Sequence, residues 1–258
     1  MADIELETRG EVAWIRLNRP ERMNAYDASM AREMIQAIED SAGSGVIVLT
    51  GTGKAFCAGG YLANLSDPDP NELRGMFYGS LKLIDAIRTS PRPVIAAVNG
   101  AAAGGGNELV VACDLAIAAE RATFGQTGVK VGSAPVLGGT NFLTMSVGEK
   151  RGKEISFLCR RYKAQQALEM GLINAVVPDE ALEDEVMRWA DELLYMSPRY
   201  LEIAKISSNL WWNMARDSFL SGLGMLVQAI GSHDMIEGAS AFMEKRRPRF
   251  EGRAPRDD

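Results

Sequence analysis

Short apolar runs alternate with amphipathic stretches along the first half of the chain. The apolar runs are rich in β-forming residues, whereas apolar residues in the intervening stretches recur at the three- and four-residue spacing of helices. In chain order the predicted elements are strand 11–17, helix 26–41, strand 45–51, helix 71–90, strand 93–100, helix 104–113 and strand 114–120. This alternation predicts an α/β fold.

Two of the predicted strands, 45–51 and 93–100, are apolar at almost every position, so we expect a sheet that is covered on both faces. Between them, the run SDPDPNE at 66–72 is interpreted as a loop because it contains prolines at 68 and 70. Its acidic residues are superficially similar to a calcium loop, but the central glycine and the distal glutamate of an EF-hand are missing. A solvated loop is the better interpretation.

From residue 180 onward the pattern predicts helices only, and Pro198 is expected to end one helix and begin the next. We therefore divide the chain into an α/β core at 1–195 and a helical region at 196–258. The helical region has more apolar positions than one face of a free helix needs, and these either pack on another subunit or fill the core of the same chain. They include Trp211, Trp212, Met214, Phe219, Leu220, Leu223, Leu226 and Val227.

The composition is that of an ordinary globular protein. The chain has 258 residues, of which 47% are hydrophobic and 24% charged, so one large domain or two small ones fit. Its 28 basic and 34 acidic residues give a formal charge of -6, which argues against binding along a nucleic-acid backbone. No apolar run approaches the roughly 18 residues of a membrane span, and the first residues lack the features of a signal peptide. We expect a cytoplasmic protein with neither nucleic acid nor membrane as a partner.

Cysteine and histidine usage narrows the possible chemistry. The three cysteines, Cys57, Cys113 and Cys159, are far apart and odd in number, so we predict free thiols rather than a disulfide framework. His233 is the single histidine, which excludes a multi-histidine metal site, and no metal is predicted. We interpret His233 as a surface residue at a helix start that Ser232 or Asp234 caps.

Two glycine-rich turns follow buried strands, GTGKAFCAGGYL at 51–62 and NGAAAGGGNEL at 99–109. Neither is a nucleotide-binding fingerprint, because the first turn lacks the final glycine of a dinucleotide loop and Lys54 is followed by Ala55 instead of a hydroxyl residue. Glycine lets main-chain amides approach a ligand closely, and amides at a helix start are unpaired donors. Two such amides on one oxygen would form an oxyanion hole; tight packing of a helix on a sheet is the alternative reason for the glycines.

Five segments occur in a fixed order over about 230 residues of the chain. They read NRPERMNAY, AFCAGGYL, PVIAAVNGAAAGGGNELVVACDLAIAAERATFGQ, AQQALEMGLINAVVP and EGASAFMEKRRPRF. In these segments the sequence resembles the crotonase, or enoyl-CoA hydratase/isomerase, superfamily. The resemblance implies that the oxyanion hole is formed by the amides of Gly60 and Gly105.

The resemblance also implies a crotonase-like spiral of strand-strand-helix repeats at 1–195, which holds the active site and the coenzyme A site. The helical region would mediate assembly into a homotrimer or a hexamer, a dimer of trimers. The implied substrates are acyl-CoA thioesters, so that coenzyme A is part of the substrate and no cofactor is tightly bound. For the coenzyme A site, Arg22 is the leading basic candidate because the family places a basic residue there, and Lys54, Ala58 and Lys245 are the further candidates. Each basic residue could equally be a solvated surface charge.

Glu108 is the leading candidate for the general acid and base. It lies three residues after Gly105 in the predicted helix, so its carboxylate would be within one turn of the oxyanion hole. The alternative is a first-turn glutamate that only interacts with the helix dipole. The resemblance implies a second catalytic glutamate for hydratases and isomerases, and the matching position holds Gly128.

The stretch from 124 to 178 is also similar to a branch that makes or breaks carbon-carbon bonds, dihydroxynaphthoyl-CoA synthase and ketocyclohexanecarboxyl-CoA hydrolase. That branch has a serine and then an aspartate two residues later, where this chain has Ser133 and Pro135, and its catalytic tyrosine corresponds to a position near Ile230. We expect Tyr61, Leu62, Ser133 and Pro135 to line the substrate pocket. Asn107 and Ser133 could orient water, although structural roles are more common for such residues.

The sequence therefore predicts an acyl-CoA enzyme that stabilises a thioester enolate, with hydration of an enoyl-CoA, or its reverse, by a single glutamate as the first hypothesis. The second hypothesis is hydrolysis or synthesis of a carbon-carbon bond in a cyclic β-oxoacyl-CoA. The third is a paralogue that binds acyl-CoA without turning it over.

Overall fold

The computed structural model describes residues 2–61 and 69–251. Within them the strands, in chain order, are β1 Ile4–Arg9, β2 Val12–Leu17, β3 Val46–Gly51, β4 Ala55–Cys57, β5 Val94–Val98, β6 Ala101–Ala103, β7 Leu115–Ala119, β8 Thr123–Gly125, β9 Tyr162–Lys163 and β10 Ala175–Val177. The helices are α1 Ala28–Asp40, α2 Pro70–Thr89, α3 Gly105–Ala112, α4 Phe142–Val147, α5 Glu149–Leu158, α6 Ala164–Glu169, α7 Leu182–Leu194, α8 Pro198–Ser208, α9 Leu210–Gln228 and α10 His233–Met243.

The strands form two sheets. The larger sheet has the order β1-β2-β3-β5-β7-β10, and the smaller has the order β4-β6-β8-β9. Every pairing from β2 to β10 in the larger sheet is parallel, and the antiparallel pairs are β1 with β2 and β8 with β9. All residues of β3 and β5 are buried, as expected for strands covered on both faces.

Successive strand pairs alternate between the two sheets. β3 and β5 enter the larger sheet, while β4 and β6, which directly follow them, enter the smaller sheet; the next elements are α2 and α3. β7 and β8 repeat the arrangement. This is the strand-strand-helix repeat that the family resemblance implies. It brings the carboxyl ends of β4 and β6 to one edge of the smaller sheet because the two strands are parallel.

The predicted loop 66–72 overlaps the predicted helix 71–90, and the structure places residues 70–72 in the first turn of α2, so the loop interpretation is wrong there. Pro70 occupies the first helical position, where its missing N–H costs nothing, and the Asp69 side chain caps the helix by accepting from the Asn71 amide. Residues 66–68 lie outside the described residues. A proline therefore marked a helix start here, as Pro198 does for α8.

The apolar residues of the helical region are partly buried in the core of the same chain and partly exposed. Trp212 stacks on Phe142 with ring centroids 5.0 Å apart, and Phe219 packs on both rings. The side chain of Trp211 lies outside the described part of the chain. Buried residues of the region are Trp212, Phe219, Leu223 and Leu226, with Val227 packed against them; Met214 and Leu220 are exposed.

A buried ion pair ties the helical region to the sheet. Lys205 on α8 pairs with Asp114 at 2.7 Å and donates to the main-chain oxygens of Ile87 and Arg92. Asp114 also accepts from the Val94 amide at 2.8 Å. Burial lowers the pKa of Lys205, while Asp114 opposes that shift. Removing either partner would leave an unpaired charge in the interior.

Among the described helices, none combines the length and the apolar character that crossing a bilayer requires.

Candidate active site

The two glycine-rich turns meet at the edge of the smaller sheet. Gly59 follows β4 with φ +95° and Gly104 follows β6 with φ +53°, and both conformations favour glycine. A methyl group added at Gly59 would lie 2.8 Å from the nitrogen of Gly105. The two turns are thus in direct main-chain contact, and they are held there by the parallel pairing of β4 and β6.

The amides of Gly60 and Gly105 are both available to a ligand. The Tyr26 amide donates to the oxygen of Gly59 and the Tyr61 amide donates to the oxygen of Tyr26, each at 2.9 Å. This parallel bridge skips the Gly60 amide, which faces away from Tyr26. Gly105 is the first residue of α3, where a helix leaves its amides unpaired. In residues 2–61 and 69–251, neither amide donates to a protein acceptor.

The glycines of the second turn also allow α3 to approach β4 closely. A methyl group at Gly106 would lie 1.9 Å from the main-chain oxygen of Cys57, so only glycine fits there. A methyl group at Gly105 would lie 2.6 Å from the hydroxyl oxygen of Tyr26. Close packing therefore accounts for the glycine at position 106, and it brings the helix start against the strand end with the amide of Gly105 left unpaired.

Glu108 is buried, with 6% of its surface exposed, so it is not a solvated first-turn glutamate. Its Oε1 accepts from the amides of Leu137 and Gly139, each at 3.0 Å. Burial raises the pKa of Glu108 to about 7, and the two amides oppose that shift. The carboxyl group is thus held in one place and titrates in the range where it both accepts and releases protons near neutral pH.

A cavity of ≈ 80 Å³ lies over these groups. It brings together the predicted residues Ala58, Gly60, Gly105, Glu108, Ser133 and Pro135. The other lining residues within the described chain come from α2, the glycine turn before α3, residues 126–137 and α9, together with Tyr26: Tyr26, Met76, Phe77, Ser80, Gly104, Gln126, Thr127, Gly128, Val131, Ala134, Leu137 and Leu226.

Gly128 lines this cavity at the position of the missing glutamate. A methyl group there would lie 3.2 Å from the carbonyl carbon of Ala134 and from two atoms of Pro135. These distances are shorter than ordinary van der Waals contacts. The wall formed by Ala134 and Pro135 therefore takes the space next to residue 128, and a side chain at this position would require that wall to shift.

Two polar residues of the cavity were missed by the sequence analysis. Gln126 is almost fully buried, and neither atom of its side-chain amide has a hydrogen-bond partner in the described chain. Tyr26 is 4% exposed, and burial raises its pKa above the usual range. The only sequence signal was their position in the segments NRPERMNAY and ATFGQ; their meeting depends on long-range packing. Asn107 is buried and unpaired in the same sense but does not line the cavity.

The residues predicted for coenzyme A are placed less uniformly. Arg22 lies in the 3-10 turn Pro20–Arg22, and its guanidinium stacks on the Tyr61 ring at 4.4 Å from the centroid. Lys54 is exposed and directly follows Gly53. A methyl group at Gly53 would lie 3.2 Å from Pro20, the first residue of the turn that contains Arg22, so the turns that carry Arg22 and Lys54 are adjacent.

Arg22, Lys54, Tyr61 and Lys245 are not among the described residues that line the cavity. Lys245 follows α10, is exposed and has φ +55°. Leu62 lies outside the described residues. The only predicted coenzyme A residue that contacts the cavity is thus Ala58.

Other candidate chemistry stays away from this cavity. His233 is exposed at the start of α10, where the Ser232 side chain accepts from the Met235 amide. The three cysteines are free, with Cys57 and Cys113 buried. No group of three or more His, Cys, Asp or Glu residues in the described ranges could hold a metal ion.

Comparison with known proteins gives a consistent result. The family model described as enoyl-CoA hydratase/isomerase matches residues 7–253. An enoyl-CoA hydratase subunit I from Geobacillus kaustophilus HTA426 is 35% identical with a TM-score of 0.77, and the match covers 98% of this chain and 99% of that one.

Two further structures illustrate the range of similar proteins. An enoyl-CoA hydratase from Bacillus anthracis is 33% identical with a TM-score of 0.78, and the match covers 98% of this chain and 100% of that one. A carnitinyl-CoA hydratase from Mycobacterium avium is 30% identical with a TM-score of 0.85, and the match covers 97% of this chain and 99% of that one.

Proposed function

Because this chain belongs to the enoyl-CoA hydratase/isomerase family, we propose that it hydrates an enoyl-CoA thioester or catalyses the reverse dehydration. One observation carries the proposal: Glu108 and the glycines with unpaired amides, Gly60 and Gly105, line the same cavity. A carboxyl group beside two free donors supports proton transfer next to a carbonyl oxygen that gains negative charge. Coenzyme A would enter as part of the substrate.

In the proposed reaction, the thioester oxygen accepts hydrogen bonds from the amides of Gly60 and Gly105. The Glu108 carboxylate takes a proton from water as the water oxygen bonds to the β-carbon of the enoyl group. The electron pair of the carbon-carbon double bond moves to the thioester oxygen, which forms an enolate. Protonated Glu108 then gives its proton to the α-carbon. Water is thereby added across the double bond, and the carboxylate is restored.

This reaction uses one glutamate for both proton transfers. The raised pKa of Glu108, about 7, supports the dual role, because the carboxyl group exchanges its proton easily in both directions near neutral pH. Gly128 supplies no second acid, and the Ala134–Pro135 wall beside it leaves little room for one. Gln126 offers an unpaired amide to the same cavity, which supports a role in holding water or the acyl group by hydrogen bonds.

Carbon-carbon bond chemistry on a cyclic β-oxoacyl-CoA has weaker support. The branch that performs it has an aspartate at the position of Pro135, and the wall formed by Ser133, Ala134 and Pro135 contains no carboxyl group. Hydration therefore remains the first candidate.

We further propose that Arg22 and Lys54 bind the phosphates of coenzyme A at the mouth of the site. Their adjacent, solvent-exposed turns and the contact of the Met23 oxygen with the Ala58 amide, at 3.0 Å, support this location. Lys245 is proposed as a third phosphate ligand from the C-terminal region on the family resemblance alone.

A homotrimer or a hexamer is the proposed assembly. Its support is the row of exposed apolar side chains on α8 and α9, which includes Ile203, Ile206, Leu210, Met214 and Met225. Surfaces of this kind are typical of contacts between subunits.

The decisive experiment incubates the purified protein with saturated, unsaturated and ring-containing CoA thioesters and follows the mass of each product. Gain of one water by an enoyl-CoA is expected, and Glu108→Gln should abolish most of it, whereas the exposed Glu120→Gln should not. Stabilisation by acyl-CoA in a thermal shift assay without any turnover would support the non-catalytic paralogue instead.

A further inference from the structure

The cavity contains a tyrosine that the proposed reaction leaves without a role. Tyr26 is buried, and it lines the cavity together with Gly60, Gly105 and Glu108. A phenol that only fills space among apolar groups would be replaced without loss by phenylalanine. Here the hydroxyl group lies among the groups that are proposed to carry the reaction, so its chemistry matters.

The main chain on either side of Tyr26 is fixed by contacts that do not involve the phenol. Asn24 is fully buried, and its side-chain amide donates to the main-chain oxygens of Thr52, Ala55 and Phe56 at 2.8–3.2 Å. Tyr26 itself forms the parallel bridge with Gly60. The residue is thus attached to the first glycine-rich turn by its backbone, and its ring extends toward the second.

The hydroxyl group reaches the second turn at the residue that supplies one of the two proposed donors. The hydroxyl oxygen lies 2.6 Å from the point where a Cβ of Gly105 would be, and the ring carbon that bears it lies 3.3 Å from that point. No other side chain is as close to that point. The phenol is thus a direct neighbour of Gly105, the residue whose amide is one of the two proposed donors.

The phenol remains protonated at neutral pH. Burial raises the pKa of Tyr26, the nearby Cys57 and Glu108 raise it further, and the neighbouring Ser80 opposes the shift. The Ser80 hydroxyl has a single proton, which it donates to the main-chain oxygen of Met76 at 2.9 Å. A neutral O–H group in a buried site is a hydrogen-bond donor of the kind that stabilises developing negative charge.

We propose that the hydroxyl group of Tyr26 is a third hydrogen-bond donor at the oxyanion site, beside the amides of Gly60 and Gly105. This inference rests on the proposed function and adds a side chain to a site that was otherwise made of main-chain groups. No proton leaves the phenol: its O–H donates to the thioester oxygen while that oxygen carries the enolate charge, and it is released when the α-carbon is protonated.

Tyr26→Phe tests the inference, because it removes the hydroxyl group and keeps the ring. With an enoyl-CoA substrate, kcat is expected to fall on the order of 10²-fold, as for loss of one oxyanion donor, with KM within a few-fold of the wild-type value. The matched control is Tyr162→Phe: Tyr162 is also buried, its hydroxyl donates to Glu154, and neither residue lines the cavity. An unchanged kcat for Tyr26→Phe overturns the inference.

A spectroscopic measurement separates this role from a structural one. The CoA thioester of 4-(dimethylamino)cinnamic acid absorbs at longer wavelength when its carbonyl group is polarised. Bound to the wild-type protein it should shift to the red, and Tyr26→Phe should reduce that shift while the melting temperature stays close to wild type. Ser80→Ala should reduce the shift less, because it leaves the phenol in place. An equal reduction in both variants would overturn the inference, because a direct donor loses more when the phenol hydroxyl itself is removed.

The same measurement distinguishes failure of the inference from failure of the proposed function. A wild-type protein that shifts the chromophore but hydrates no enoyl-CoA contradicts the proposed reaction only, and the comparison with Tyr26→Phe still decides the role of the phenol. A wild-type protein that gives no shift overturns the oxyanion site and the inference together.

Discussion

The main-chain amide of Gly139 donates to Oε1 of Glu108 at 3.0 Å, so a loop that follows Glu108 by about thirty residues holds the proposed catalytic carboxyl group. Its burial raises the pKa to about 7. Since the carboxylate is the form that takes a proton from water, kcat/KM for hydration should rise with pH and level off above about pH 7. In Glu108→Gln this rise of kcat/KM with pH should be absent, and in Glu120→Gln it should remain. A flat profile for the wild type would contradict the role of Glu108.

The same carboxyl group should affect stability in the opposite direction. In the folded state its pKa is about 7, against an ordinary value of 4.5, so the folded protein binds more protons between these pH values. Stability from this group is therefore full below pH 4.5 and is lost as the pH rises to about 7. The melting temperature of Glu108→Gln relative to wild type should increase over this interval; a constant difference would show that the shift is absent.

A methyl group at Gly105 should destabilise the protein in a way that Tyr26→Phe relieves. The clash is with the phenol oxygen at 2.6 Å, and without it the nearest ring carbon is at 3.3 Å. Gly105→Ala should cost about 1–3 kcal/mol of unfolding free energy, with part of it recovered in the double variant. Gly106→Ala is the control, because its clash with the Cys57 oxygen is with main chain. Additive effects of Gly105→Ala and Tyr26→Phe in chemical denaturation would be inconsistent with this geometry.

Introducing a glutamate at Gly128 should not create a two-glutamate hydratase. The 3.2 Å contacts with Ala134 and Pro135 predict a lower melting temperature and lower turnover for Gly128→Glu. Adding Pro135→Ala removes one contacting atom and should restore part of the stability. Faster hydration by Gly128→Glu than by the wild type would contradict this prediction and show that Ala134 and Pro135 shift easily to make room for the side chain.

Arg22→Ala should raise KM for CoA thioesters about tenfold and change kcat little, because a phosphate ligand contributes to binding away from the reacting carbons. The variant also loses the stacking of Arg22 on Tyr61, so a second substrate is needed to separate the two effects. The corresponding pantetheine thioester lacks the nucleotide and its phosphates. Wild type and Arg22→Ala should use it equally well; the same KM increase for both substrates would argue against phosphate binding.

The exposed apolar residues of α8 and α9 should hold subunits together. Light scattering is expected to give three or six times the mass of the chain, and Met214→Glu should lower it. Leu6→Glu is the comparison, because Leu6 is an exposed apolar residue on the edge strand β1. A monomeric wild-type protein would contradict the assembly.

The sequence was sufficient for the elements whose signals are local. The periodicity predicted the four inner strands of the larger sheet, β2, β3, β5 and β7, with the helices α1, α2 and α3, but it missed the edge strands β1 and β10. Pro198 marked the start of α8 as expected. The glycine-rich turns were identified because strand, glycine and helix follow one another within about ten residues. Pro70 was assigned to a loop because proline is excluded from the interior of a helix. The same residue fits the first position of a helix, and Asp69, which caps α2, was not recognised as the sign of that start.

The missing parts of the site depend on contacts between distant segments. The carboxylate of Glu108 is held by hydrogen bonds from the amides of Leu137 and Gly139. Nothing in the local pattern around residue 108 indicates these two partners. Tyr26 enters the cavity because it pairs with Gly60, a register that the alternation of apolar residues does not determine. Tyr61 was expected in the pocket but is stacked on Arg22.

The ion pair between Lys205 and Asp114 bears on any attempt to transplant this chemistry. Asp114 comes two residues after α3 ends, and Gly105 and Glu108 lie in the first turn of that same eight-residue helix. One end of the helix is therefore clamped against the glycine turns and the other against a lysine some ninety positions downstream. A designer who grafts only the turns and the glutamate onto another scaffold would obtain the donors without the ion pair that fixes the position of α3.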